Sequence, residues 1–172
     1  MTYTKDGVVK MNRKAIYSGT FDPITNGHMD ILKRALNIYD EVIVAVATSK
    51  SKQPMFNINS RVSFIQNATN ELSGITVMPF DNLLVDFARE QNVYNIIRGL
   101  RTTTDFEYEL QMSYANSSLE KKLDTVFLMP SLQNAFVSSS IVRELLRFDS
   151  TIDHLVPKNI TEDINKEYKK CI

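Results

Sequence analysis

Among the residues able to do chemistry, His28 has the most suggestive setting. It closes the run YSGTFDPITNGH, which starts at Tyr17 within the apolar stretch KAIY and stops where the amphipathic pattern MDILKRAL begins at Met29. In that run Gly19 lets the chain turn sharply off a strand and come close to a ligand. Pro23 stiffens the loop, and Thr25 or Asn26 can cap the helix that follows. His28 then falls in the first helical turn, where unpaired N–H groups and the positive end of the dipole favour an anion. An imidazole donor in an anion-ready pocket suits phosphoryl or nucleotidyl chemistry. A capped turn whose histidine faces water would account for a Gly-His pair, but not for the whole string.

Three more segments carry suitable groups. In RGLR, Arg98 would be a charge at the end of a buried strand, which needs a partner. Gly99 lets the backbone approach a ligand, and Arg101 adds a second fork for phosphate. The alternative for either arginine is a structural salt bridge to Asp105 or Glu109. Ser138, Ser139 and Ser140 open another helical pattern, where hydroxyls and free N–H groups can cradle a polyphosphate or merely cap the helix. The loop SKSK (49–52) places two ammonium groups after a strand, within reach of a phosphate as point charges. For Lys50 the solvated reading is preferred.

Between these segments, strand-like and helix-like patterns alternate. Strands are predicted at Lys14–Ser18, Glu41–Ala47, Thr76–Pro79, Tyr94–Arg98 and Thr125–Met129, each short and apolar as if buried on both faces. Helices are predicted at Met29–Tyr39, Ser60–Leu72 (behind an Asn59 cap), Leu83–Gln91 (burying Leu84, Phe87 and Ala88, with Asn92 ending it), Phe106–Leu119 and Ser140–Phe148. A terminal helix is predicted over Thr161–Lys170. Five such alternations predict an α/β fold: a Rossmann-like, doubly wound, five-stranded parallel sheet with helices on both faces, in a single domain. Ligands bind such sheets beyond the carboxyl ends of the strands, where the strand order reverses. Every chemically suggestive segment follows a strand. Residues 1–10 read as an extension or an expression scar before a domain spanning 11–172 that ends in the terminal helix.

Composition narrows the classes. With 172 residues the chain suits one domain, and its 20 basic residues balance 20 acidic ones. That balance argues against a broad nucleic-acid footprint, though not against a local basic pocket. Cys171 is the only cysteine, so no internal disulfide is possible. The longest apolar run, Val42–Ala47, is too short for a bilayer, and the first ten residues lack a signal peptide's apolar stretch. A soluble cytoplasmic protein, bound neither to nucleic acid nor to membrane, is the expectation.

Together, AIYSGTFDPITNGH (15–28), SKSKQPMF (49–56), RGLRTTTDFEYEL (98–110), FLMPS (127–131) and FVSSSIVRE (136–144) resemble the T/HxGH nucleotidyltransferase superfamily, with Thr25–His28 as the four motif positions. Within it they resemble the family of bacterial phosphopantetheine adenylyltransferases, over about Met11 to Pro157. The resemblance implies adenylyl transfer from ATP to 4′-phosphopantetheine, giving dephospho-coenzyme A and pyrophosphate by in-line attack on the α-phosphorus. It casts His28 as the transition-state stabiliser, with Lys52 and Arg101 also catalytic. Thr20, Lys52, Leu84 and Arg98 would meet phosphopantetheine. Thr20, Phe21, His28, Gly99, Leu100, Arg101, Glu109, Asn134, Ala135, Phe136, Val137 and Ser138 to Ser140 would meet ATP. It further implies Mg2+ carried on the ATP phosphates, with no protein ligand, a homohexamer, and coenzyme A as a feedback inhibitor in the same cleft.

The chain departs from the family pattern in three places, one of them the extension of residues 1–10, which has no counterpart in it. Ser18 stands where proline is usual, and Asn134 where an aromatic residue usually meets adenine. Three residues or groups take bland readings: His154 as a packed or surface histidine, Phe106, Tyr108 and Tyr114 as core or subunit interface, and Asp22 as no general base. Two other functions compete. One is nucleotidyl transfer to another acceptor, such as nicotinamide mononucleotide or a glycerol phosphate, whose enzymes carry histidine where Thr25 stands. The other is a nucleotide sensor that lost turnover, which would have damaged His28, Lys52 or the arginines.

Overall fold

The computed structural model describes residues 2–3, 9–10, 12–48 and 53–171. Lys52, with the rest of 49–52, lies outside them. Five parallel strands form one sheet: β1 (Lys14–Gly19), β2 (Glu41–Ala47), β3 (Ile75–Phe80), β4 (Asn95–Gly99) and β5 (Asp124–Leu128). Their spatial order is β3-β2-β1-β4-β5. From β1 the chain winds outward to β2 and β3, returns to the far side of β1 for β4, and winds outward again to β5. This is the doubly wound arrangement that the alternation predicts, and its order reverses between β1 and β4. A separate two-residue antiparallel ladder pairs Thr2–Tyr3 with Val9–Lys10.

The inner strands form where β-branched residues bury on both faces. In β2, Val42, Val44 and Val46 join one core with Tyr17, Ile97 and residues of four helices, while Ile43 and Ala45 join a second with Ile16 and Ile96. The outer strands depart from the expectation of two buried faces: no residue of β3 or β5 is buried. Each is an edge strand with a single hydrogen-bonded neighbour, so one margin meets water.

The helices are α1 (Asn26–Leu36), α2 (Ile58–Ala68), α3 (Leu84–Gln91), α4 (Thr103–Leu119), α5 (Ser139–Arg147) and α6 (Thr161–Cys171). Ile31 and Leu32 of α1, Ile65 of α2, Val142 of α5 and Ile164 of α6 cover one face of the sheet. Val85, Phe87 and Ala88 of α3 cover the other. Four helices, α1, α2, α4 and α5, start earlier than predicted, because the capping residue lies before the first apolar position of each stripe. Asn57, not Asn59, caps α2 by accepting the Ser60 N–H at 2.9 Å. In α3 the buried residue of the first turn is Val85, with Leu84 only partly buried, and Asn92 ends the helix in the left-handed region (φ 51°).

α4 differs from the predicted amphipathic helix, for none of its residues is buried. At 100° per residue its apolar side chains fall on two opposite stripes. Phe106 takes the inner one, its ring edge-on to Phe127 of β5 at 5.8 Å. Tyr108, Met112 and Leu119 take the outer one and are 60%, 41% and 56% exposed. Exposure of Tyr108 and Tyr114 excludes the core reading of that aromatic group. Among the described residues no helix is long and apolar enough to cross a membrane.

Candidate active site

A cleft of about 470 Å³ opens where β1 and β4 end side by side, at the reversal of strand order. The loop after β1 forms its floor. The left-handed turn falls on Phe21 (φ 48°), not on Gly19. The missing Cβ of Gly19 serves instead to admit the Phe21 ring, which would otherwise stand 3.0 Å from it. That buried ring sits edge-on to Tyr17 at 5.2 Å and to His28 at 5.1 Å. A positive φ in a bulky residue is costly, and three packed rings hold it there.

Thr25 caps α1 and forms a capping box in which histidine takes the place glutamate usually fills. The Thr25 N–H donates to His28 Nδ1 at 3.1 Å, and Thr25 Oγ1 lies 3.0 Å from the same nitrogen. A backbone N–H can only donate, so Nδ1 accepts and the ring proton sits on Nε2. Burial, then the repulsion of Arg101 and Arg98, lowers the His28 pKa to about 4. The imidazole facing the cleft is therefore a neutral Nε2–H donor at physiological pH.

Two helices aim their N-termini here. α1 and α5 carry no acidic residue in the first turn, unlike α3, α4 and α6, so their dipoles meet the cleft unneutralised. They approach closely because Gly27 lacks a side chain: a Cβ there would stand 3.1 Å from the Val137 carbonyl oxygen. Ser138 caps α5, and Ser139 donates to the Pro23 carbonyl at 2.8 Å. Arg143 donates to the Asp22 carbonyl at 2.6 Å and to Ser140 Oγ at 3.2 Å. The two crossovers are thus stitched together at the cleft wall.

Both arginines of RGLR have carboxylate partners. Arg98 grips Glu109 with Nε (2.7 Å) and Nη2, and its Nη1 donates to the carbonyl and the hydroxyl (3.1 Å) of Ser18. Burial works against the Arg98 charge, but Glu109 overrides it and holds the guanidinium above its ordinary pKa. Arg101 bonds Asp105 at 3.1 Å. The Asp22 carboxylate is engaged in structure: it accepts the Met55 and Phe56 N–H groups at 2.8 and 2.9 Å and lies 3.5 Å from Arg143. It has no proton-transfer role to offer. His154 is exposed, and its carbonyl accepts from the Asn26 side chain at 3.2 Å.

A family model described as cytidylyltransferase-like matches residues 16–145. Over 154 residues the chain is 54% identical to the phosphopantetheine adenylyltransferase of Nautilia profundicola, covering 90% of this chain and all of that protein. The enzyme of the same name from Campylobacter curvus is 56% identical over 87% of this chain and 96% of its own. That of Helicobacter hepaticus is 51% identical over 93% and 97%. The chain belongs to the phosphopantetheine adenylyltransferase family.

Of the residues that the family pattern singles out, Thr20, Phe21, His28, Arg98, Gly99, Arg101, Glu109 and Val137 to Ser140 line this one cleft. Leu84, Leu100, Asn134, Ala135 and Phe136 do not line it. The Asn134 side chain instead donates to Ser131 Oγ at 3.1 Å, and Phe136 is exposed. Lys52 lies outside the described residues, but Gln53 and Pro54 just after it line the cleft. Sequence reasoning passed over Arg143, whose signal was its place three residues after Ser140 on the same helical face. It also passed over Arg61, whose signal was its place four residues before Ile65 on the buried stripe of α2.

Proposed function

We infer that this protein transfers the adenylyl group of ATP to 4′-phosphopantetheine, giving dephospho-coenzyme A and pyrophosphate in coenzyme A synthesis. The observation that carries this is one cleft ringed by a neutral imidazole donor, four arginines (Arg98, Arg101, Arg143 and Arg147) and two helix N-termini, in a chain related over most of its length to enzymes of that name. An acceptor phosphate oxygen attacks the α-phosphorus in line. As that O–P bond forms, the bond to the β-phosphate oxygen breaks, and pyrophosphate leaves with the electron pair. The acceptor is already ionised at neutral pH, so no general base is needed. Positioning and charge stabilisation remain for the protein.

We assign His28 Nε2–H to the α-phosphate oxygens, which gain charge in the transition state. The N-terminus of α5, with Ser138 to Ser140, is assigned to the β- and γ-phosphates, and Arg101 to ATP. Thr20, Lys52 and Arg98 are assigned to the acceptor phosphate. Because Arg98 has protein partners on all three nitrogens, a phosphate would share it with Ser18 and Glu109 or displace one of them. Glu109 can reach a nucleoside only if it loosens that pair. Contacts from Leu84, Leu100, Asn134, Ala135 or Phe136 would require those segments to move toward the bound substrates.

Magnesium would enter on ATP as its counter-ion. Among the described residues no group of three His, Cys, Asp or Glu could hold a metal; we assign the shell of this magnesium to phosphate oxygens and water. A homohexamer, feedback by coenzyme A in this cleft and a cytoplasmic location belong to the same proposal. The outward stripe Tyr108, Met112 and Leu119 supports self-association. A pyrophosphate-release assay with ATP or CTP, offering phosphopantetheine, nicotinamide mononucleotide and glycerol 3-phosphate in turn, tests the activity. Release with ATP and phosphopantetheine alone is expected. Turnover with another acceptor and none with phosphopantetheine would overturn it.

A further inference from the structure

Among the described residues the largest fully buried side chain belongs to an arginine, Arg61 of α2, which is 1% exposed. Among the described residues it makes no ion pair. Its partners are three backbone carbonyls: Thr20 (2.6 Å) and Ala47 (2.8 Å) through Nη1, and Phe56 (3.0 Å) through Nε. Burying a charge on three carbonyl dipoles is expensive even with the Asp22 carboxylate near enough to favour it, and an apolar side chain of similar volume would normally pack there more favourably. The choice of carbonyls explains its retention. Thr20 follows β1, Ala47 ends β2, and Phe56 directly precedes the cap of α2. One guanidinium therefore holds the cleft floor at Thr20 and both ends of the connection 48–55, which carries Lys52 and the cleft-lining Gln53 and Pro54. Asp22 secures the same connection from the other side through the Met55 and Phe56 N–H groups.

We propose that Arg61 is a positioning residue for the acceptor-phosphate side of the cleft, clamping the exits of β1 and β2 and the start of α2. It does not touch the substrates; it acts through the backbone at Thr20, Ala47 and Phe56. A rigid fork with five donors can span three carbonyls, whereas an ammonium on a flexible stem cannot hold all three in one geometry. The inference rests on the adenylyl-transfer reading given above.

Arg61→Lys keeps the charge and loses the fork; Arg61→Gln keeps donors and loses the charge. Both are assayed by pyrophosphate release against wild type, with each substrate varied in turn and the folded fraction measured by circular dichroism. The expected result for Arg61→Lys is a phosphopantetheine KM raised about tenfold or more, with the ATP KM within about threefold. Arg61→Gln should raise the phosphopantetheine KM further. A variant that only lowers melting temperature and active fraction, with both KM values unchanged, overturns the proposal. So does failure of both variants to fold, which would make Arg61 a folding residue. If wild type itself does not turn over phosphopantetheine, the adenylyl-transfer reading has failed first, and that result is separate from either outcome for the variants.

Discussion

Acidification should destabilise this protein through His28 in a calculable way. In the folded chain burial and the two neighbouring arginines set its pKa at about 4, against 6.5 for the free side chain. The folded-state value is the lower one, so as pH falls the unfolded chain takes up the proton first. Stability from this group is complete above about pH 6.5 and is lost progressively between there and pH 4. At pH 5 the unfolded ensemble is favoured by a factor of roughly 30, worth about 2 kcal/mol. The ring keeps some exposure to the cleft, which makes that an upper figure. His28→Asn is the matched control, because its amide oxygen can still accept the Thr25 N–H while the side chain no longer titrates. Urea unfolding of both proteins, followed by circular dichroism at pH 7.5 and pH 5 and equal protein concentration, gives the difference directly. Carboxylates common to both cancel. Wild type should lose up to about 2 kcal/mol more than the variant on acidification. Parallel losses would refute a neutral, desolvated imidazole, and so would a His28 imidazole NMR signal, assigned by its loss in His28→Asn, that titrates near pH 6.5.

Three shorter expectations follow from the same geometry. Asp22→Asn removes the charge that receives the Met55 and Phe56 N–H groups and faces Arg143; a loss of about 3 kcal/mol in urea unfolding is expected, and a loss below about 1 kcal/mol would count against its role as a tether. Gly27→Ala places a methyl 3.1 Å from the Val137 carbonyl, so the two helix N-termini must part; isothermal titration should show weaker ATP binding, with a stability cost of about 1–3 kcal/mol. Ser18→Ala keeps the carbonyl bond to Arg98 but deletes the 3.1 Å hydroxyl bond. Steady-state kinetics should show the phosphopantetheine KM rising by about two- to fivefold with kcat near wild type, and an unchanged KM would mean that the hydroxyl does not steer Arg98.

The sequence was most legible where local signals overlap. Turn residues, a cap and an amphipathic stripe converge on Thr25 to His28, so both the element boundary and the placement of the histidine could be read in advance. Periodicity also disclosed all five strands and hence the winding of the sheet. What stayed hidden depends on neighbours distant in the chain. β3 and β5 read like β2 by composition, and only strand order makes them edges. Arg61 falls on the inward stripe of α2, four residues before Ile65, but nothing local announces that carbonyls 5, 14 and 41 residues away close over it. The left-handed Phe21 was concealed by Gly19, which is the residue chemistry would choose for such a turn. Asn57 and Asn59 are equally good caps by type, and the actual start of α2 decides between them.

Because the winding changes direction at β1, the molecule has a working rim and an idle one. The turns that lead into β2, β3, β4 and β5 (37–40, 69–74, 92–94 and 120–123) all open onto the rim opposite the cleft. Lengthening the exposed Lys121–Lys122 turn would displace none of the groups gathered around the phosphates, whereas the same insertion between Ala47 and Phe56 would pull directly on them. Not every idle turn is equally permissive, for Gly74 is wedged against the Asp40 carbonyl with φ at 78°. Tags, labels and surface attachments belong at 121–122.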